Sequence, residues 1–211
     1  MISPEAQNTM PDFPAADWSA LADLLAVQGY AVLPAALPEP GWLGLQAEAR
    51  QLLGHGAFAP ARIGRGEGLH RENSIRGDGL CWLEPGMSVG AAYLRWMDML
   101  RLTLNRELFL GLDEFEAHYA HYPVGAFYRR HVDRHRDSNA RVISSVFYLN
   151  ADWREEDGGE LLMQDAAGEA LFAQAPCGGT LVLFMSADMP HEVLPAARER
   201  WSVAGWFRTR R

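Results

Sequence analysis

The sequence contains no lysine, so all 19 of its basic side chains are arginine. It has only two cysteines, Cys81 and Cys177, whose spacing matches no metal site. So few thiols argue against a disulfide framework and are typical of a reducing compartment. No apolar run approaches the roughly 18 residues that can span a membrane. The net charge of −8 argues against a general nucleic-acid or membrane-surface binder. We therefore expect neither a nucleic acid nor a membrane as a partner.

The first 20 residues carry acids and prolines in place of the basic stretch and apolar run of a secretory signal. We therefore expect a cytoplasmic location. A length of 211 residues and an apolar fraction of 48% suit one domain with a sizeable core. Residues 1–16, rich in proline and alanine, are predicted to form a flexible N-terminus.

Helical patterns dominate residues 17–110, with one short strand predicted at Tyr30–Leu33. Helices are predicted to begin near Asp17, Pro40 and Ser88, and the last has leucines spaced for one buried face. Residues 61–79 interrupt this helical part with five glycines, four arginines and almost no large apolar side chain. Loops of this length are usually functional or disordered, so we predict a mobile loop that could act as a substrate lid.

From residue 111 the pattern changes to short strand-like segments separated by turn signals. These segments are Phe115–Tyr122, Phe127–Val132, Val142–Leu149, Glu160–Met163, Thr180–Met185, His191–Leu194 and Trp201–Phe207. Helices followed by such strands predict an α+β fold in which α-helices brace a jelly-roll barrel, with residues 111–211 as its core.

The spacing of five residues indicates a metal centre. His131-Val132-Asp133 is followed by His191 and, nine residues later, by Arg200. Two imidazoles and one carboxylate are typical of non-haem Fe(II) oxygenases, in which three open coordination positions accept a chelating 2-oxo acid and O2. Arg200 could bind the second carboxylate of 2-oxoglutarate through its planar, permanently charged guanidinium.

Other histidines fit a metal centre less well. His135 and Asp137 repeat the same spacing, but they lie in a polar run that is typical of a solvated loop. His131 and Asp133 flank an apolar residue at the end of a strand, where both can face a barrel interior. His118 and His121 are three residues apart on one strand, so we expect them to face opposite sides of it and to have core or surface roles.

The chain resembles the Fe(II)- and 2-oxoglutarate-dependent dioxygenases of the prolyl 4-hydroxylase type, and within them the bacterial branch similar to the hypoxia-inducible-factor prolyl hydroxylases. The absence of lysine is typical of GC-rich bacterial genomes. The resemblance covers roughly residues 111–208 and, more weakly, 75–82. It is carried by Tyr122-Pro123, Tyr128–Asp133, Phe147–Asn150, Asp157–Leu161, Pro190–Val193 and Arg200–Phe207.

The resemblance implies a double-stranded β-helix that holds Fe(II) through His131, Asp133 and His191. It also implies that Arg200 and Tyr148 bind the far carboxylate of 2-oxoglutarate, with Tyr122 nearby. The cosubstrates would be 2-oxoglutarate and O2, the coproducts succinate and CO2, and the reductant ascorbate. Ala204 departs from relatives that carry Thr near the cosubstrate.

The resemblance implies hydroxylation at C4 of a prolyl residue in another protein, with a translation elongation factor such as elongation factor Tu as a candidate. The predicted loop and the basic residues between Arg129 and Arg141 suit a peptide substrate with acidic flanks. Other hypotheses remain open: an oxygenase acting on a nucleic acid or a small metabolite, or a non-catalytic sensor. From the residues alone, Tyr148 could be an aromatic core residue. Trp206 could line the pocket or fill the core, and we interpret it as core.

Overall fold

The computed structural model describes residues 13–14, 16–61, 75–134 and 140–210. In these residues the α-helices are α1 (Trp18–Gln28), α2 (Glu39–Gly54) and α3 (Val89–Leu108). The strands are β1 (Tyr30–Leu33), β2 (Ala59–Pro60), β3 (Gly79–Trp82), β4 (Glu114–Tyr122), β5 (Tyr128–His131), β6 (Arg141–Tyr148), β7 (Leu161–Gln164), β8 (Ala170–Gln174), β9 (Leu181–Met185), β10 (His191–Val193) and β11 (Arg200–Arg208).

The predicted helices form the brace. Helix α1 begins where Asp17 accepts a hydrogen bond from the Ala20 amide, and it ends at Gly29, whose φ of 78° favours glycine. Helices α1 and α3 pack against each other, and α3 also packs against β4. The buried side chains of these helices pack with one face of the larger sheet to form a hydrophobic core. This core includes Leu21, Leu25, Met97, Leu100, Leu104, Tyr119 and Phe147.

Two antiparallel sheets form the barrel. The larger has seven strands in the order β1-β9-β6-β11-β4-β3-β2, and the smaller has four in the order β5-β10-β7-β8. The order within each sheet departs from the order along the chain, as jelly-roll connections require. The α+β jelly-roll prediction is confirmed, and a cavity lies between the two sheets, lined by residues from both.

Three strands were not predicted. Strand β3 begins at Gly79, inside the segment predicted as a loop, and pairs with β4 on one side and with β2 on the other. Strand β2 has only two residues, and β8 is an edge strand whose side chains are largely exposed, so neither has a hydrophobic alternation. The predicted mobile loop falls mainly on residues 62–74, outside the described residues, as do residues 1–12 and 15 of the predicted flexible N-terminus.

Within the described ranges, no helix combines the length and the apolar character needed to cross a membrane.

Candidate metal centre

Pairing between the two strands of the smaller sheet brings the predicted histidines together. His131 on β5 lies directly opposite His191 on β10, and their ring centres are 4.2 Å apart. Asp133 follows the end of β5, with Oδ1 3.6 Å from His131 Nε2 and Oδ2 3.8 Å from His191 Nε2. One ligand atom from each of the three residues lies within 4.8 Å of the others, close enough to hold one metal ion.

Backbone hydrogen bonds fix the tautomer of both histidines. The Nδ1 atom of His131 lies 2.7 Å from the Arg129 carbonyl oxygen, and that of His191 lies 3.0 Å from the Met189 carbonyl oxygen. Because a carbonyl can only accept, each Nδ1 must carry the proton. Each Nε2 then presents a lone pair toward Asp133, as metal-ligating histidines do.

Burial and neighbouring charges set the protonation states that a divalent cation needs. Burial would raise the pKa of the Asp133 carboxyl, but the two imidazoles and a hydrogen bond from Ser144 outweigh it and hold this pKa well below its usual range. Burial lowers the pKa of His191 to about 4. At neutral pH the centre therefore presents an ionised carboxylate and a neutral His191.

The Tyr128 ring and an ion pair behind it support His131. The Tyr128 ring stacks on the His131 ring at 3.6 Å between centres and 18° between planes, and the Arg76 guanidinium lies 4.3 Å from the centre of the Tyr128 ring. Arg76 in turn donates two hydrogen bonds to the buried Asp78 carboxylate. The Arg76–Asp78 ion pair and Tyr128 thereby support the ring of the candidate ligand His131.

Arg200 opens β11 and is 1% exposed. Its Nε atom donates to the Gly159 carbonyl oxygen at 2.9 Å, and its Nη1 atom lies 3.5 Å from the Ser202 hydroxyl. The Nη2 atom has no hydrogen-bond partner. Among the described residues, no carboxylate lies within ion-pair distance of this guanidinium. A buried cation without an anion is costly, so this position is suited to an anionic ligand.

Two tyrosines flank Arg200. The guanidinium carbon lies 5.2 Å from the Tyr122 ring centre and 5.1 Å from the Tyr148 ring centre. The Tyr148 hydroxyl is buried without a partner, and burial raises its pKa to about 12, so it remains a neutral donor. Burial raises the pKa of Tyr122 as well. Tyr148 is also packed in a hydrophobic cluster, so its core role and its hydroxyl beside Arg200 coexist.

The cavity between the sheets has a volume of about 350 Å³ and is lined by the triad, Tyr122 and Arg200. It is also lined by Leu80, Trp82, His118, Arg141, Ala204 and Trp206. Trp206 is buried, as the core interpretation expected, but its side chain also lines the cavity, with the Arg141 guanidinium carbon 3.5 Å from its ring centre.

His118 was expected in a core or surface role but lies in the cavity wall, packed between Trp82 and Trp206. Strand alternation from Tyr122 could have placed it there, because residues four apart share a face. His121 faces the other side, where it stacks on Trp201, so the prediction of opposite faces is confirmed. His135 and Asp137 lie outside the described residues.

These donors fit the implied groups. A carboxylate and two imidazoles with free Nε2 atoms can hold Fe(II) and leave coordination positions open. The unpaired Arg200 nitrogen and the unpaired Tyr148 hydroxyl can receive a carboxylate. A dicarboxylate that chelates iron, such as 2-oxoglutarate, could bind the metal at one end of the cavity and Arg200 at the other.

Comparisons with known proteins agree with this geometry. The family model of the 2OG-Fe(II) oxygenase superfamily matches residues 117–208. The human protein Egl nine homolog 1 is 33% identical over 141 residues, which cover 63% of this chain and 33% of that protein. Human prolyl hydroxylase EGLN3 is 29% identical over 63% of this chain and 59% of its own length. The match thus spans 33% and 59% of the length of these two curated relatives.

Solved structures match a larger share of this chain. A Pseudomonas putida prolyl-4-hydroxylase superposes with a TM-score of 0.83 and 45% identity, covering 92% of this chain and all of that one. A prolyl hydroxylase from Trichoplax adhaerens, in complex with a hypoxia inducible factor peptide, shares the fold at a TM-score of 0.82 and 24% identity, over 90% of this chain and 88% of that one. The chain therefore belongs to the 2OG-Fe(II) oxygenase superfamily, among the oxygenases of the prolyl hydroxylase type.

Proposed function

We propose that the chain hydroxylates C4 of a prolyl residue in a protein substrate. One oxygen atom of O2 would enter the substrate and the other would enter succinate, while 2-oxoglutarate loses CO2. The observation that carries the oxygenase assignment is the buried Arg200 guanidinium, unpaired by any described carboxylate, in the cavity that holds His131, Asp133 and His191. The 45% identical prolyl-4-hydroxylase supports proline as the target.

His131, Asp133 and His191 would hold Fe(II). Bound iron would supply the O2 activation that protein side chains cannot supply, and ascorbate would keep it reduced. The protein would contribute the neutral Nε2 donors, the ionised carboxylate and a cavity between two sheets that limits the access of water.

Arg200 would orient 2-oxoglutarate. Its unpartnered Nη2 would donate to the far carboxylate, and the Tyr148 hydroxyl would donate a second hydrogen bond to the same group. The Tyr122 and Tyr148 rings on either side hold the guanidinium in place. The 2-oxo end of the cosubstrate would then point toward the metal ligands.

The cavity wall near Trp82 would receive the target proline. Trp82 is 43% exposed, and with His118 and Trp206 it offers aromatic surface for a pyrrolidine ring. Arg129 and Arg130 are exposed on strand β5, which also carries His131, and they could attract acidic residues that flank the proline. This surface suits a peptide segment better than a free amino acid.

The test is mass spectrometry of candidate substrates after incubation with enzyme, Fe(II), 2-oxoglutarate and ascorbate. The first candidate is elongation factor Tu of the host, which the family resemblance suggests, followed by whole host lysate. We expect a proline-containing peptide to gain the mass of one oxygen atom, with C4 identified by amino-acid analysis and one succinate formed per hydroxylation.

Two variants make the result specific. Asp133→Ala should abolish both succinate release and the mass gain, whereas Asp188→Ala, a substitution near His191 but outside the ligand set, should retain them. Efficient turnover of free L-proline without modification of any protein would overturn the substrate assignment and leave the oxygenase assignment intact.

A further inference from the structure

Two buried serines contact the carboxylate of the candidate metal centre. Ser144 on β6 is 1% exposed and Ser186, directly after β9, is 0% exposed. The Ser144 hydroxyl lies 2.7 Å from Asp133 Oδ2 and 2.8 Å from the Ser186 hydroxyl. Neither serine is a metal ligand in the triad. Ser144 belongs to the larger sheet and Ser186 follows one of its strands, whereas the two histidines belong to the smaller sheet.

The directions of these hydrogen bonds follow from the chemistry of the groups. The Asp133 carboxylate is ionised, so it can only accept, and Ser144 must donate its single proton to Oδ2. Ser144 then has only lone pairs to offer Ser186, so the Ser186 hydroxyl donates to Ser144. The result is a directed chain from Ser186 through Ser144 to the carboxylate.

Backbone contacts of Ser186 strengthen the same connection. Its amide donates to the Val142 carbonyl oxygen at 3.0 Å, and its carbonyl oxygen accepts from the Arg134 amide at 3.1 Å. Ser186 therefore contacts the residue that follows Asp133 and also, through Ser144, the Asp133 side chain.

Asp133 needs such support more than the histidines do. His131 and His191 lie in paired strands, whereas Asp133 lies in a bend beyond the end of β5. Strand pairing therefore does not fix the carboxylate, whose rotation must be limited by its own hydrogen bonds.

We infer that Ser144 and Ser186 are positioning residues that orient the carboxylate ligand, with Ser186 acting through Ser144. This inference rests on the proposed metal centre. The hydrogen bond to Oδ2 holds the plane of the carboxylate while Oδ1 stays free of this contact. The larger sheet thereby fixes one ligand relative to the two that the smaller sheet carries.

The test measures metal binding without turnover. Mn(II) is titrated calorimetrically into metal-free protein, and the absorption spectrum of the Co(II) form reports the coordination geometry. Ser144→Ala should weaken Mn(II) binding roughly tenfold to hundredfold and change the Co(II) spectrum. Ser186→Ala should weaken binding less, and the double variant should bind no more weakly than Ser144→Ala alone. Ser144→Thr, which retains the hydroxyl, should restore most of the affinity.

Ser145→Ala is the matched control, because Ser145 is the next residue on β6, is equally buried and, unlike Ser144, makes no hydrogen bond to Asp133. It should leave Mn(II) affinity unchanged. Thermal melting in the presence of a chelator should show Ser144→Ala and Ser186→Ala folded. If either serine variant fails to fold, the other still decides the outcome.

Unchanged Mn(II) affinity in Ser144→Ala would overturn the inference, provided that Asp133→Ala has lost binding. Unchanged affinity in Asp133→Ala would instead refute the proposed metal centre. The two failures are therefore distinguishable.

Discussion

Arg200 shows how much one residue specifies about its ligand. Its side chain is almost fully buried, two rings flank it and one nitrogen lacks a partner. A buried guanidinium is tolerated when an anion with matching geometry completes it. Among the described residues no carboxylate does so, which leaves this role to a ligand.

Arg200→Ala should therefore weaken 2-oxoglutarate binding with little effect on metal binding. The loss of a charge-assisted contact costs about 1.5–3 kcal/mol, which is roughly tenfold to hundredfold in affinity. Calorimetric titration of 2-oxoglutarate into the Mn(II)-loaded protein measures it. Arg198→Ala, which removes a half-exposed arginine two residues earlier, should bind 2-oxoglutarate like the wild type. Equal affinities for all three proteins would refute the role of Arg200.

His118 is a buried histidine, and burial lowers its pKa from 6.5 to about 4. The nearby arginines Arg76 and Arg141 lower this pKa further, whereas the carboxylates of Asp78 and Asp133 raise it by smaller amounts than burial lowers it. Because the folded state holds this imidazole neutral, the unfolded chain takes up a proton first as the pH falls. The free energy of unfolding should therefore decrease as the pH falls from about 6.5 to about 4. Below about pH 4, His118 should contribute no further change in stability.

Urea unfolding of the metal-free protein at pH 7 and pH 5 tests this linkage. Between these pH values His118→Gln should lose about 2 kcal/mol less stability than the wild type. His55→Gln, at an exposed position directly after α2, is the control substitution. A His118→Gln profile parallel to that of the wild type would show that His118 does not titrate in this range.

At the scale of elements, Glu48 of α2 caps the N-terminus of α3. Ser88 stands at the cap position but makes no side-chain hydrogen bond there. Glu48 Oε1 accepts from the amides of Ser88 and Val89, and Oε2 accepts from the Gly90 amide and the Tyr119 hydroxyl. One carboxylate thus satisfies three free helix amides, complements the helix dipole and joins both helices to β4.

Glu48→Ala should destabilise the fold by about 2–4 kcal/mol, because it leaves several donors without their charged acceptor. Glu48→Gln should lose less, since an amide oxygen can still accept. The free energy of urea unfolding measures both, with Glu39→Ala, an exposed substitution on the same helix, expected to change stability by less than about 1 kcal/mol. A loss in Glu48→Ala no larger than in Glu39→Ala would contradict the capping role.

The long, strongly patterned elements could be predicted from the sequence, but the short strands β2, β3 and β8 could not. The period of α3 and the alternation of β4 extend over many residues, so their core faces are evident. Strand β3 has only four residues and follows a glycine-rich segment, where local composition favours a loop. Its pairing depends on β4, a partner that lies more than 30 residues away.

At the scale of the whole molecule, the site lies where two sheets meet. The two histidines and Asp133 come with the smaller sheet, whereas Arg200, Tyr122 and the supporting serine Ser144 come with the larger. The sequence allowed the triad and Arg200 to be predicted because their residue types are chemically specific. It gave no comparable signal for Ser144, because a serine in a strand is common and its contact with Asp133 arises only when the two sheets pack.

The central claim is that one cavity holds a metal ion on His131, Asp133 and His191 and a dicarboxylate on Arg200. The most direct test of this claim is a calorimetric titration of 2-oxoglutarate. The titration is made into the wild type and into Asp133→Ala, each in the presence of Mn(II) and in the presence of a chelator. We predict tight binding only to the Mn(II)-loaded wild type, because the metal and Arg200 must hold opposite ends of the ligand. Binding of equal strength with chelator, or in Asp133→Ala, would contradict the account.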